Sequence, residues 1–300
     1  MLADNALTQY PIGVVEQIIQ MKNSPPNRVY KIECSKANYV LKINVLKHAE
    51  EEDQPSLCVF EDYYFTARAL QNEMIYLSEL GNHFAEIGLP RPIKNILGSY
   101  VTHLNGDEQA VLMTWIEGDN AANHRFTLDD AKKIGELLAM IHSMQTNVIN
   151  HEIDYIDRLN FFLDRIRNGY AAGIFDARLM NIAEEAIDET KNRLSNCSER
   201  KALIHGDFYT YNLIASRGNF IPIDFGYCSI GYVYQDIASL CNEFDGDEKF
   251  KSTFIASYEA ARNATVDPKY IKTFQAYLTI MYLAANSHVK GNYDWLPELY

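Results

Sequence analysis

The sequence predicts an α+β fold, with an antiparallel sheet and one helix in the N-terminal third and a larger, mostly helical C-terminal part. Three observations carry this. Residues 28–34 (RVYKIEC) and 38–44 (NYVLKIN) are β-like runs joined only by Ser35–Ala37, the pattern of a hairpin. The runs SYVTHL (99–104) and QAVLMTWI (109–116) flank the turn NGDE (105–108) and read as a second hairpin. After Gly118 the period changes: Leu128, Ala131, Ile134, Leu138 and Ile141 recur at helical spacing behind a Thr127 cap.

The remaining elements follow in order. Residues 12–21 (IGVVEQIIQM) read as a short helix, broken by the two prolines of NSPPN (23–27). The polar, acidic HAEEEDQPS (48–56) reads as an exposed loop. Residues 66–80 place Leu70, Met74, Leu77 and Leu80 on one helical stripe, with Gly81 ending the helix. Further helices are expected near 155–168, 177–195, 234–243, 248–263 and 267–287. A compact β segment, ALIHGDFYTYNLIASRGNFIPIDFG (202–226), lies among them with RGN as its turn. The division falls at residues 114–118, separating 1–113 from 119–300.

With 47% hydrophobic residues in 300, the chain can bury a sizeable core. Its net charge of −13, without any Lys/Arg-rich run, repels phosphate backbones and argues against a nucleic-acid partner. The cysteines Cys34, Cys58, Cys197, Cys228 and Cys241 are scattered and form no CxxC pair, which suits buried thiols in a reducing compartment. The N-terminal residues lack a basic region followed by a long apolar stretch, and no run approaches the ~18–20 apolar residues of a membrane span. A cytoplasmic protein without a membrane partner is expected. The oligomeric state is not legible.

The chemistry concentrates in HGDFYTYN (205–212) and IPIDFG (221–226). Phosphoryl transfer needs a carboxylate to orient and deprotonate the attacking hydroxyl, hard oxygen ligands for magnesium, and a cation on the phosphates. Asp207 stands five residues before Asn212 on a loop between β segments, and Asp224 lies twelve residues beyond Asn212 across the RGN turn. A returning strand can bring that second carboxylate beside the amide oxygen, and Gly226 lets the chain turn away.

HxDxxxxN followed by DFG resembles the catalytic and metal loops of the aminoglycoside phosphotransferase and choline kinase family. The resemblance spans roughly residues 12–245 and implies a bilobal, protein-kinase-like fold that uses ATP and Mg2+. It makes Asp207 the catalytic base, His205 a support of its loop, and Asn212 and Asp224 the metal ligands. Lys42 in YVLKIN matches the strand lysine on the ATP phosphates, although a strand lysine by itself also reads as an edge charge. Glu73 in NEMIYL matches the helix glutamate that pairs with it, with Glu79 as competitor. VLMTWIEG resembles the hinge between lobes, where the Thr114 carbonyl and the Ile116 amide would meet the adenine edge. Asp236 in GYVYQDIA resembles the buried aspartate that braces the catalytic loop. His142 in LLAMIHSM reads as a packed core histidine.

One departure falls at the nucleotide loop. The family usually offers Gly, Ser and Asn there, whereas NSPPN has no glycine and its prolines lack amide donors. Ser24 and Asn27 are left to reach phosphate oxygens, and use of GTP stays open. Only twelve residues separate Asp224 from Asp236, and Tyr209 stands where protein kinases carry a lysine, so a small hydroxylated acceptor is favoured over a peptide. Tyr209, Tyr211, Tyr227, Tyr232 and Tyr234 suit a cation–π cage, sugar stacking or plain packing. An aminoglycoside-type hydroxyl is preferred, with choline, homoserine and sugars as other acceptors. The rival readings are a catalytically idle nucleotide-binding protein of the same fold and a protein kinase.

Overall fold

The computed structural model describes residues 2–21, 27–45, 67–104, 108–145 and 151–291. They form two compact units. The first takes the described residues within 1–48, 60–125 and 210–228, and the second those within 126–209 and 229–300.

The first unit opens with helix α1 (Leu2–Leu7) and the strands β1 (Val15–Gln20), β2 (Asn27–Cys34) and β3 (Asn38–Val45). After helix α2 (Ala67–His83) come β4 (Pro92–Ile93), β5 (Val101–His103), β6 (Glu108–Thr114) and β7 (Asp119–Asn120). Antiparallel pairing gives the order β1-β2-β3-β6-β4, with β5 also on β6. Both expected hairpins form: β2–β3 places Lys42 opposite Val29, and β5–β6 places Val101 opposite Val111.

Alternation along β3 sends Leu41 and Ile43 to one face, where they join Ile32, Leu112 and Ala110 against Ala3, Ala6 and Leu7 of α1. Lys42 then points from the opposite face, toward α2. A short helix that sequence periodicity did not reveal thus covers one side of the sheet and leaves the other for chemistry.

Residues 12–21 form no helix. Val15, Ile18 and Ile19 are β-branched, and pairing with β2 satisfies the strand's backbone. A register shift between Val15 and Gln17 breaks the two-residue period, which explains why alternation was not visible. Gly81 does not end its helix either: α2 runs on to His83, and a Cβ at Gly81 would meet nothing, so the residue is merely tolerated there. Asn23–Pro26, the stretch 48–56 and Asn105–Asp107 lie outside the described residues.

A second, three-stranded sheet in this unit joins β7 to the hairpin Leu213–Ser216/Asn219–Pro222. Arg217 (φ 50°) and Gly218 (φ 78°) supply the two left-handed residues of its turn.

The second unit is helical. Helix α3 (Leu128–Ser143) starts at a capping box in which Thr127 and Asp130 exchange side-chain and backbone bonds. It is followed by α4 (Tyr155–Ala171), α5 (Ala177–Ser195), α6 (Tyr234–Glu243), α7 (Glu248–Arg262) and α8 (Pro268–Ala285). Asp154, Asp176, Asp247 and Asp267 cap α4, α5, α7 and α8 in turn. The strands Ala202–Ile204 and Ser229–Gly231 pair antiparallel beneath the loop that carries Asp207. No described helix is long and apolar enough to cross a membrane.

Candidate functional site

Within the first unit, three distant segments meet at Lys42. Its ammonium lies 3.2 and 3.0 Å from the two carboxylate oxygens of Glu73 on α2, and 2.9 Å from Oδ1 of Asp224. Lys42 and Glu73 are buried, whereas the Asp224 side chain is 47% exposed. Burial alone would pull the Lys42 pKa down, but Asp224 and then Glu73 outweigh it and hold the ammonium above its ordinary value. Burial pushes the Glu73 carboxyl up, Lys42 opposes that, and Asp224 adds to it. A fixed cation is therefore flanked by one sequestered carboxylate and one that reaches solvent. Such a lysine can exchange its exposed partner for a phosphate while Glu73 keeps it aimed.

Asp224 follows the strand Asn219–Pro222, with its backbone in the left-handed region (φ 60°, ψ 65°). Side chains rarely tolerate this conformation, and such strain gathers at functional sites. Here it turns the carboxylate off the line of the strand, where the Lys42 ammonium meets it. Asn212 ends a 3-10 turn (Thr210–Asn212) on the partner strand, and its carbonyl accepts the Ile223 N–H at 2.9 Å. Leu213 is opposite Pro222, so Asn212 and Asp224 sit at the same open end of one hairpin.

Among the described residues, no cluster of three or more His, Cys, Asp or Glu could hold a metal ion. A magnesium ion on a nucleotide needs less, namely one or two hard oxygen ligands with phosphate and water completing the shell. An amide oxygen and a half-exposed carboxylate beside a lysine fit that requirement.

Thr114 and Ile116 lie at and beyond the end of β6. The Thr114 N–H donates to the Arg91 carbonyl at 3.0 Å, and its hydroxyl accepts the Arg91 N–H at 2.9 Å. The Trp115 N–H donates to the Asn38 carbonyl at 3.0 Å, and Lys31 sits 5.0 Å from the Trp115 ring centroid. The backbone of this segment is thus fixed from both sides. Gly118 then passes so close to Ala215 and Ile214 that any Cβ would collide with them.

The second unit holds Asp207. Its loop is built on Asp236, which is fully buried. Oδ2 of Asp236 accepts the His205 N–H at 2.7 Å, and Oδ1 accepts the Gly206 N–H at 2.8 Å. Nε2 of His142 lies 3.0 Å from the same carboxylate, while the Tyr258 hydroxyl lies 2.9 Å from Nδ1. A carboxylate can only accept, so Nε2 carries the hydrogen and the Tyr258 hydroxyl donates to Nδ1. Burial lowers the His142 pKa against the opposing pull of Asp236, which favours the neutral imidazole that this arrangement uses.

Gln235 adds a further tie, donating to the Gly206 carbonyl at 3.0 Å. The Asp207 N–H donates to Nδ1 of the buried His205 at 3.3 Å. Asp207 itself is only partly buried. Tyr209, two residues on, has its pKa pushed up to about 12 by burial, against a hydrogen bond to Ser239.

Of the residues singled out in the sequence, the structure brings Lys42, Glu73 and Asp224 into direct contact, and Asn212 to the end of the same hairpin. Glu79, the competitor, makes no such contact with Lys42. His205 and Asp236 meet around the Asp207 loop. Asp207 and Asn212 belong to different units, the chain passing from one to the other at Tyr209–Thr210. Ser24 lies outside the described residues, and Asn27 is described only as the first backbone residue of β2. His142 is packed in the core, as expected, and both its ring nitrogens are engaged around the loop. Gln235 and Tyr258 were missed; adjacency to Asp236 signals the first, and nothing local signals the second.

The phosphotransferase enzyme family model matches residues 26–268. Among solved structures, a thermostable mutant of aminoglycoside phosphotransferase APH(4)-Ia, in a ternary complex with AMP-PNP and hygromycin B, aligns with a TM-score of 0.66 at 14% identity. That alignment covers 99% of this chain and 95% of the other. Amicoumacin kinase hAmiN, in complex with AMP-PNP, Ca2+ and Ami, gives 0.65 at 14% identity over 95% and 84% of the two chains. Choline kinase LicA from Streptococcus pneumoniae gives 0.60 at 16% identity over 95% and 91%. At these identities the likeness is one of fold, α+β and protein-kinase-like. No curated protein matches the chain.

Proposed function

The chain belongs to the phosphotransferase enzyme family, and on that premise we propose that it moves the γ-phosphate of Mg-ATP to a hydroxyl of a small molecule. The observation that supports this most is the contact of the buried Lys42 with the buried Glu73 and the half-exposed Asp224. Few folds have reason to bury a lysine between two carboxylates, because the desolvation cost rivals the attraction. A site that must later present that cation to a polyphosphate has such a reason.

Each group then has a role. Lys42 grips the α- and β-phosphates, and Glu73 keeps it aimed. Asp207 orients the acceptor hydroxyl; as the oxygen bonds to the γ-phosphorus and the bond to the β-phosphate oxygen breaks, its carboxylate takes the proton. His205 and Asp236 hold that loop. Asn212 and Asp224 hold magnesium, which when bound neutralises charge on the β- and γ-phosphates. The Thr114 carbonyl and Ile116 amide meet the adenine edge, and Ser24 and Asn27 are the side chains for phosphate oxygens. In this reading residues 1–113 form the nucleotide lobe, 114–118 the hinge and 119–300 the catalytic and acceptor lobe, in a cytoplasmic enzyme.

An aminoglycoside-type hydroxyl is the preferred acceptor, before choline, homoserine or a sugar. Two features support a small acceptor: the short span from Asp224 to Asp236, and the half-buried Tyr209 in place of a peptide kinase's lysine. A coupled ADP-release screen over these compounds tests the reading, run beside Asp207→Ala. That variant should keep the parent's melting temperature and lose turnover by about 10²–10⁴-fold, the usual worth of a positioned base. Near-parental turnover would remove Asp207 from its role, and transfer to a protein rather than a metabolite would overturn the acceptor class.

A further inference from the structure

We infer that Asn120 is a positioning residue for the Asn212 carboxamide, and that through it the hinge segment and the metal loop act as one piece. The inference rests on the proposed metal role of Asn212. Asn120 lies two residues beyond 114–118 and uses both arms of its side chain. Oδ1 accepts the Ala122 N–H at 2.9 Å, capping the 3-10 turn Ala121–Asn123. Nδ2 donates to the Tyr211 carbonyl at 2.7 Å.

That carbonyl belongs to the peptide unit immediately before Asn212. The next carbonyl, of Asn212 itself, is held from the opposite side by the Ile223 N–H. The turn Thr210–Asn212 is therefore pinned at two successive carbonyls, one by the segment after the hinge and one by the strand leading to Asp224. Asn212 is itself buried.

The rest of the segment supports the same coupling. Asp119 and Asn120 pair with Ala215 and Ile214, and only a glycine at 118 permits the approach to Ala215. A hydrogen bond from a side chain on one backbone to a carbonyl on another transmits a shift of either. Nucleotide held along 114–118 would thus set where the Asn212 oxygen stands, and a metal ion on that oxygen would be felt where the adenine is held.

Asn120→Ser separates this role from ordinary turn stability. Serine caps as well as asparagine and keeps the acceptor for Ala122, but it lacks the arm that reaches Tyr211. Calorimetry would give the affinity of a non-hydrolysable ATP analogue with magnesium and with a chelator, for the parent, Asn120→Ser and Asn212→Ala. The inference expects the gain in affinity from magnesium to fall about fivefold in Asn120→Ser, the worth of one hydrogen bond of about 1 kcal/mol. The chelator value should stay within about twofold.

Asn212→Ala should abolish the gain altogether. If it does so while Asn120→Ser keeps the parent's gain, or loses affinity equally with and without magnesium, the positioning role is wrong and the metal assignment stands. If Asn212→Ala keeps the gain, the metal assignment fails and the inference with it. Asn120→Thr provides the same comparison should the serine variant fold poorly.

Discussion

Asp236→Asn is the most demanding test of how the catalytic loop is built. Three donors converge on this buried carboxylate: the His205 N–H at 2.7 Å, the Gly206 N–H at 2.8 Å and Nε2 of His142 at 3.0 Å. Asparagine has nearly the same shape but only one oxygen. In either orientation its amide group points hydrogens at a donor, leaving at least one buried N–H unmet. A hydrogen bond to a charged acceptor contributes ~1.5–3 kcal/mol and an unmet buried donor costs ~1–3 kcal/mol, so a loss of about 2–4 kcal/mol is expected. The midpoint of urea unfolding should fall with an unchanged slope. Turnover should fall further than stability implies, because a displacement of ~1 Å at a positioned group costs on the order of 10²-fold. Asp245→Asn, at an 84% exposed side chain, serves as the control and should be nearly neutral. An Asp236→Asn variant within ~0.5 kcal/mol of the parent would refute the claim that this carboxylate supports the loop.

Two further predictions concern the buried charges and phenols. Removing the cation in Lys42→Met strands Glu73, 2% exposed, beside Asp224 and should cost ~3–5 kcal/mol of stability. Lys42→Met/Glu73→Leu should recover much of that in the same unfolding assay, while nucleotide affinity stays lost in both; equal stability of the two variants would contradict the buried pair. Tyr10 and Tyr209 have their pKa values pushed by burial from 10.0 to about 12. Their folded-state pKa lies above the unfolded value, so this contribution is complete below pH 10 and is lost as pH rises from 10 toward 12, at up to ~3 kcal/mol each. The alkaline unfolding midpoint should move upward in Tyr10→Phe/Tyr209→Phe, and an unmoved midpoint would show that neither phenol governs that limb.

Much of the architecture was legible because it rests on local patterns. The β2–β3 and β5–β6 hairpins, the Arg217–Gly218 turn and the cap at Thr127 each follow from residues within a few positions of one another. Where a local pattern was interrupted, reading it failed. The bulge at Val15–Gln17 hid a strand inside an apparently helical run, and Gly81 carried no stop because its surroundings were open.

The chemistry divides along the same line. The sequence alone determined which residue types the reaction has at its disposal: a carboxylate five residues before an amide, a second carboxylate across a turn, and a lysine in a β-like strand. Which of them touch was decided by the tertiary structure, since Lys42, Glu73 and Asp224 are 31 and 182 residues apart from lysine to partner. The choice of Glu73 over Glu79 depended on the face α2 turns to the sheet. The contacts of His142 with Tyr258 and with Asp236, across 116 and 94 residues, left no trace in spacing. Hydrogen bonds and ion pairs act over about 3 Å in space and are indifferent to separation along the chain, so only folding could select these partners.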